Sequence, residues 1–284
     1  MKRILITGAS SGIGHALATK LSKTGQWQVF AGVRDLTHTE WTSRENVTPV
    51  KLDVTHPDDL ESTTEMIGSE LHVLVNNAGE NLLGPFEHTS ERAARQLFET
   101  NFWGSANLSH RLLPALRQAS GPAFRSKLIA TGSIGSIAAV PWEPYYHATK
   151  FALLGLYESV RYELAAEGVD VCVVCPGGVA TNFMPKTRAS ALAALGALPS
   201  DASPRYAAGV RRLESLIDQA GSSGSQPEFV AQRMVKIIEA NSPGLVQFIG
   251  RDARLIALLR KVLPMHTFEG IYRGIFVPKL NQRT

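Results

Sequence analysis

"KRILITGASSGIG" (residues 2–14) decides the architecture of this chain. Its first half, KRILIT (2–7), is a short apolar run stopped by Gly8. Its second half opens GIGHALATKLSKTG (12–25), which carries helical spacing through Leu17 and Leu21. The turn between them, TGASSGIG (7–14), places glycines at 8, 12 and 14, a GxxxGxG spacing. Glycines let such a turn tighten and let its backbone approach a pyrophosphate. Helix-start N–H groups and the helix dipole favour the negative charge. A glycine-rich turn alone is often a plain connector, but its place directly after an N-terminal strand favours a ligand. Thr7, Gly8, Ser10, Ser11, Gly12, Ile13 and Gly14 are the residues this expectation assigns to a phosphate-bearing cofactor.

Working outward, the same strand-then-helix rhythm repeats. WQVFAGV (27–33), VTPVKLDV (47–54), HVLVNN (72–77), SKLIATGS (126–133), VDVCVVC (169–175) and LVQFIG (245–250) read as six more strands. Helices are expected over 57–69, about 90–119 and 145–167. Continuous apolar strands separated by helices of this length predict an α/β fold, a parallel sheet covered on both faces. Two segments break the rhythm. Residues 182–226 are Ala-rich in the middle and Gly/Ser-rich at the end, and 251–284 form a basic, apolar tail. Both read as appendages on one domain spanning 1–284.

The bulk numbers fit this. Of 284 residues 44% are hydrophobic and 19% charged, ample for a core, and the net charge is +4. The basic residues are scattered singly, so no nucleic-acid partner is expected. The start, MKRILITG, has no apolar run of signal-peptide length, and no stretch reaches the roughly 20 apolar residues of a membrane span. The expected location is cytoplasmic. The only cysteines, Cys172 and Cys175, spell CxxC inside a strand, where residues three apart face opposite sides. They are read as structural. The histidines show no metal-ligand spacing, and no metal is predicted.

About 20 residues beyond the glycine-rich turn, an acid would hold the ribose of NAD, and an arginine would accept the 2′-phosphate of NADP. Here Val33 takes the acid's place and Arg34 follows at once. NADP(H) is therefore the preferred cofactor; NAD(H) stays open if Asp35, one place later, holds the ribose instead. In YYHATK (145–150), Tyr146 stands one helical turn before Lys150, whereas Tyr145 meets Thr149. An ammonium beside the Tyr146 phenol is expected to lower its pKa. An isolated YxxxK more often marks a wet helix face. Ser133, Asn77 and Pro176 all end predicted strands, so they share one rim, where open parallel sheets form ligand crevices.

At this point the residues resemble one family, the short-chain dehydrogenases/reductases. The likeness runs through residues 3–181 in motif order and more weakly to about 250. Its pieces are TGASSGIG (7–14), LDV (52–54), NNAG (76–79), TNFWG (100–104), Ser133, Tyr146 with Lys150, and PGGVAT (176–181). Each is weak alone; the order and spacing are specific. The resemblance implies a single Rossmann-type, doubly wound domain with a seven-stranded parallel sheet, using NAD(P) to oxidise alcohols or reduce carbonyls. It also implies a catalytic tetrad of Asn101, Ser133, Tyr146 and Lys150, with Asn101 tethering a water behind Lys150. Asp53 and Val54 would flank the adenine, and Asn77, Ala78, Gly79, Tyr146 and Lys150 would contact the cofactor. Pro176, Gly177, Val179 and Thr181 would lie near its nicotinamide. A homodimer or homotetramer through the helices at about 90–119 and 145–167 is implied too. The residue types suit this chemistry: Ser133 and Tyr146 can both hydrogen-bond a carbonyl oxygen, and Tyr146 can pass a proton.

The appendages bear on substrate. Residues 182–226 follow PGGVAT directly and carry Phe183, Met184, Leu192, Leu195 and Leu198, which suit a lid over a lipophilic molecule or ordinary helix packing equally. RLIALLRKVLP (254–264) alternates apolar and basic residues. A plain packed helix is the favoured reading there, and contact with a membrane surface or partner the less favoured. The insertion and the later segment through LVQFIG are similar to the hydroxysteroid- and retinol-dehydrogenase branch. That points to a bulky small-molecule alcohol or ketone, such as a steroid, retinoid or polyketide.

Overall fold

Alternation of side chains along seven strands sorts the core into two layers, one on each face of a single sheet. The computed structural model describes residues 1–37, 41, 44–181, 183–200 and 202–277, without the side chains of 183–186, 188 and 220–223. In chain order it runs β1 (Lys2–Thr7), α1 (Gly12–Ser22), β2 (Trp27–Val33), β3 (Val47–Lys51), α2 (Pro57–Ile67) and β4 (Val73–Asn76). Next come α3 (Glu91–Phe98), α4 (Gly104–Ala119), β5 (Ser126–Thr131), α5 (Pro144–Leu164) and β6 (Val169–Pro176). The remainder is α6 (Phe183–Gly196), α7 (Pro204–Ser223), α8 (Pro227–Glu239), β7 (Val246–Ile249), α9 (Arg251–Val262) and α10 (Met265–Phe276).

The seven strands are all parallel, in the order β3-β2-β1-β4-β5-β6-β7. The order reverses between β1 and β4, and a crevice opens at such a switch point beyond the strands' carboxyl ends. On one face Ile4, Ile6, Val29, Val75 and Val174 pack with Leu17 and Leu21 of α1 and Met234 and Ile238 of α8. On the other, Leu5, Leu74, Leu128 and Val173 pack with Leu60 of α2, Leu112 of α4, and Leu153 and Tyr157 of α5. Each of these aliphatic side chains that is fully buried contributes roughly 1.5–3 kcal/mol. Cys172 belongs to the first layer and Cys175 to the second, both fully buried and free. The strand period had placed them back to back, and so they are.

Two elements differ from the sequence expectation. β3 stops at Lys51 instead of reaching Val54, because Asp53 leaves the ladder: its N–H donates to Asp59 Oδ2 at 2.9 Å and its Oδ1 accepts from Thr55 N at 2.9 Å. Pro49 is tolerated because β3 is an edge strand. The long helix expected over 90–119 is interrupted at Glu99–Trp103 by a wide π turn. That turn rotates Asn101 inward, so it is buried. The appendage after β6 holds the two helices α6 and α7, in keeping with the helix-packing alternative. Leu195 packs against Ala191, Val210 and Leu213, a small cluster of their own that also holds Leu83 and Trp142. Leu192 points outward and Leu198 is half-buried. The side chains of Phe183 and Met184 lie outside the described residues. Among those described, no helix is long and apolar enough to cross a membrane.

Candidate active site

The crevice at the switch point is built first from backbone. Thr7, the last residue of β1, accepts the N–H groups of Asn77 and Ala78 on its Oγ1, at 2.9 and 2.8 Å. Asn77 Nδ2 answers by donating to Thr7 O at 3.0 Å. The ends of β1 and β4 are thereby locked. Gly8 and Gly12 hold φ of +66° and +59°, the left-handed region where side chains are strained. Gly14 is needed for space: a Cβ there would stand 2.5 Å from Gly8 O and 2.6 Å from Asn77 Nδ2. The loop is thus a concave cradle at the start of α1 that any larger residue would fill. That geometry fits a pyrophosphate.

From this cradle a cavity of about 820 Å³ extends along the carboxyl ends of the strands. Gly8, Ser10, Ser11, Gly12, Ile13, Arg34, Asp53, Val54, Asn77, Ala78 and Gly79 line it, as do Ser133, Tyr146, Lys150, Pro176, Gly177, Val179 and Thr181. Thr7, Gly14 and Asn101 do not. They stand behind the wall and shape it, the first two by the contacts above. Asn101 Oδ1 accepts from Glu80 N at 2.8 Å, and its Nδ2 donates to Glu80 O at 2.9 Å and Thr149 Oγ1 at 3.2 Å. The amide therefore clamps the segment after β4 to α5.

At the β2 end, Arg34 borders the cavity and pairs with Glu80 at 3.1 Å, both well exposed. Asp35 turns away, its Oδ1 accepting from Thr37 N and Thr37 Oγ1 at 2.8 and 2.6 Å. Burial works against ionising Asp53, but the Thr55 N–H and hydroxyl, His56 and Arg34 together hold its pKa below the usual carboxylate value.

Ser133 caps the turn after β5, its Oγ accepting from Gly135 N at 3.0 Å, and it hydrogen-bonds the hydroxyl of Tyr146, which is half-buried on the cavity wall. Lys150 Nζ donates to Thr131 O at 2.9 Å and lies 5.8 Å from the centre of the Tyr146 ring. Here the structure corrects an expectation. Burial drives the Tyr146 pKa up, with the Glu143 charge adding to it and the Ser133 hydrogen bond only partly opposing it. Burial also lowers Lys150 to about 8. The ammonium donates to a carbonyl and lies over the ring, and in the protein alone burial holds the phenol protonated. Tyr145 stacks on Phe86 with centroids 5.7 Å apart, a packing role. His147 accepts from Val140 N at 3.0 Å on Nε2, and its Nδ1 lies 3.1 Å from Gly135 O; it braces the turn.

Sequence reasoning missed several cavity residues. Glu80 follows NNAG directly. Asn81, Glu143 and Thr187 meet at the far end: Asn81 Nδ2 donates to Glu143 Oε1 at 2.6 Å and to Thr187 Oγ1 at 3.2 Å. Glu143 is 6% exposed, and burial raises its pKa to about 7. An acid inside the apolar VPWEPYY was the available signal. Asp252 was missed too: its carboxylate accepts the Gly178 N–H at 2.7 Å and occupies the space a Cβ on Gly177 would take.

Comparison with known proteins agrees with this fold. The family model described as short chain dehydrogenase matches residues 2–191. The chain is 31% identical over 246 residues to a 3-ketodihydrosphingosine reductase of Bacteroides thetaiotaomicron, covering 84% of each chain. It is 31% identical over 254 residues to human retinol dehydrogenase 8, covering 86% of this chain and 80% of that one. A short chain dehydrogenase from Burkholderia cenocepacia, solved in complex with NADP, superposes with a TM-score of 0.74 over 98% of this chain and 100% of that one. At 23% identity that likeness is one of fold. The chain belongs to the short-chain dehydrogenase/reductase family, as an oxidoreductase similar to its retinol and hydroxysteroid dehydrogenases.

Proposed function

We propose that the protein is an NADP(H)-dependent carbonyl reductase, reversible as an alcohol dehydrogenase, for a bulky lipophilic ketone or alcohol of steroid, retinoid or polyketide type. The observation that carries this is the Tyr146 hydroxyl, bonded to Ser133 at the rim of the cavity with Lys150 one turn behind. A nicotinamide nucleotide held there supplies or accepts the hydride. Ser133 and Tyr146 hold the substrate oxygen, and Tyr146 passes it a proton as charge grows there. A phenol kept protonated by burial suits the donor's part in reduction. The glycine-rich cradle would take the pyrophosphate, Asp53 and Val54 the adenine, and the segments at 77–79 and 176–181 the nicotinamide half. Asn101 acts through the backbone it clamps.

Arg34 supports NADP(H) over NAD(H). Its partner Glu80 forms an exposed pair, a kind worth little, that a 2′-phosphate can replace. Asp35 is turned towards Thr37 instead of the cavity. The lipophilic substrate is supported by the relatives and by Ile217 of α7, which borders the cavity opposite the strands' ends. Trp103, Phe151 and Tyr162, exposed on and beside α4 and α5, support a homo-oligomer through those helices. The test is a panel of ketones and alcohols with NADPH, NADH and their oxidised forms, followed at the nicotinamide absorbance. Turnover with NADPH is expected, and Arg34→Ala should cost NADPH about tenfold in kcat/KM while sparing NADH. Equal use of NADH by the unaltered protein overturns the cofactor assignment, and no hydride transfer across the panel overturns the enzyme.

A further inference from the structure

One charged group in the cavity has no part in the chemistry above. Glu143 ends the segment before α5, three residues ahead of Tyr146, and is buried beside Trp142 and Pro144. Its Oε1 is held by Asn81 at 2.6 Å. Among the described residues, the basic atom nearest its Oε2 is His147 Nε2, at 3.7 Å. That nitrogen already accepts the Val140 N–H at 3.0 Å, so it brings no proton to the carboxylate. A second acceptor lies alongside: Asn81 Oδ1 is buried and has no hydrogen-bond partner among the described residues. Asn81, Glu143 and Tyr146 border the same cavity.

A buried carboxylate lacking a cation is strongly penalised, and a buried amide oxygen lacking a donor is penalised as well. Both costs vanish if the occupant brings donors and positive charge. A hydroxyl offers one donor and turns lone pairs towards the carboxylate; an ammonium offers three donors and the balancing charge. We propose that Glu143 and Asn81 form a subsite for a protonated amine on the substrate, close to the reacting carbonyl, so that the site takes amino ketones and releases amino alcohols. The closeness follows from the chain: residues three apart at a helix start hold their Cβ atoms about 5–6 Å from one another. The amine sits one or two carbons from the carbonyl that Tyr146 and Ser133 hold. It is a bystander: the hydride adds to the carbonyl carbon, the Tyr146 proton goes to the oxygen, and the nitrogen keeps its protons.

This inference rests on the carbonyl-reductase reading, and two measurements separate their fates. Lipophilic ketones matched in size are compared, one with an α-amine, one with an α-hydroxyl and one with neither. The amino ketone should exceed the plain ketone by about tenfold or more in kcat/KM, and in Glu143→Gln that ratio should fall to near one. Calorimetry with the matching amino alcohol and plain alcohol, NADPH present so that no hydride can pass, reads the same contact without turnover. The amino alcohol should bind at least about tenfold tighter to the unaltered protein, and the gap should close in Glu143→Gln. If no ketone is reduced, the reductase reading falls, and the calorimetric gap alone decides the subsite. Equal binding of both alcohols, a hydroxy ketone preferred over the amino ketone, or an unchanged ratio in Glu143→Gln overturns the subsite.

Discussion

Residues 7–14 and helix α7 both border the cavity, yet they use sequence in opposite ways. In the first, the wall is backbone. Gly8 and Gly12 sit at positive φ, and Gly14 has another carbonyl where its Cβ would go. In the second, the wall is a helix whose Leu213 and Val210 pack into a local cluster while Ile217 touches the cavity. Any apolar side chain of suitable size satisfies those positions. A backbone wall admits few residue types, so it leaves a signature; a side-chain wall admits many and can drift with its ligand. The cavity is thus rigidly specified at the end proposed for the nucleotide and loosely specified at the end proposed for the substrate.

The largest expected effect tests whether the two ends meet at Tyr146. Tyr146→Phe should lower turnover by about a thousandfold while leaving NADPH affinity within a few-fold, read by steady-state kinetics and fluorescence titration. Near-normal turnover removes the phenol from the reaction.

Next comes Glu143, at the loosely specified end. Its pKa is raised from 4.5 to about 7 by burial. Below pH 4.5 the carboxyl is protonated in folded and unfolded chains alike, and the burial carries no ionisation penalty. As pH rises from 4.5 to 7 the unfolded chain releases the proton and the folded one keeps it, so stability falls, by roughly 3 kcal/mol in all. Glu143→Gln should therefore stabilise the protein at pH 8 and change little at pH 4.5, measured by urea unfolding at each. A variant less stable at pH 8 would show that the carboxylate is compensated within the protein.

The two walls can be set directly against each other. Gly14→Ala should destabilise by about 1–3 kcal/mol and weaken NADPH binding, because the added carbon forces Gly8 or Asn77 to move. Ile217→Ala should leave NADPH binding unchanged and shift KM for a lipophilic ketone only a few-fold. If the helix substitution hurts nucleotide binding as much as the glycine one, the contrast between the walls is false.

The same contrast explains what was legible. The strands and most helices follow from apolar period, and the cradle follows from glycines that backbone geometry demands. The π turn at 99–103 was invisible because TNFWG has no composition that separates a wide turn from an ordinary one. β3 was read too long because nothing in LDV announces that Asp53 bonds Asp59 and Thr55 instead of a neighbouring strand. Tyr146 and Lys150 were paired by spacing and given their part by the family resemblance, but the direction of the phenol's pKa was not legible, since burial depends on elements distant in the chain. Glu143 was missed for the same reason: positions 81, 143 and 187 come together only in the folded cavity.

The carboxylate of Asp252 has a practical meaning. The sheet is complete at Ile249, and a protein engineer would naturally cut or fuse just beyond it. Yet the first turn of α9 reaches back and fastens the Gly178 N–H, so the loop of residues 177–181 is buttressed from outside the sheet. Shortening the chain there would leave the strands intact and unhinge one jamb of the doorway they frame.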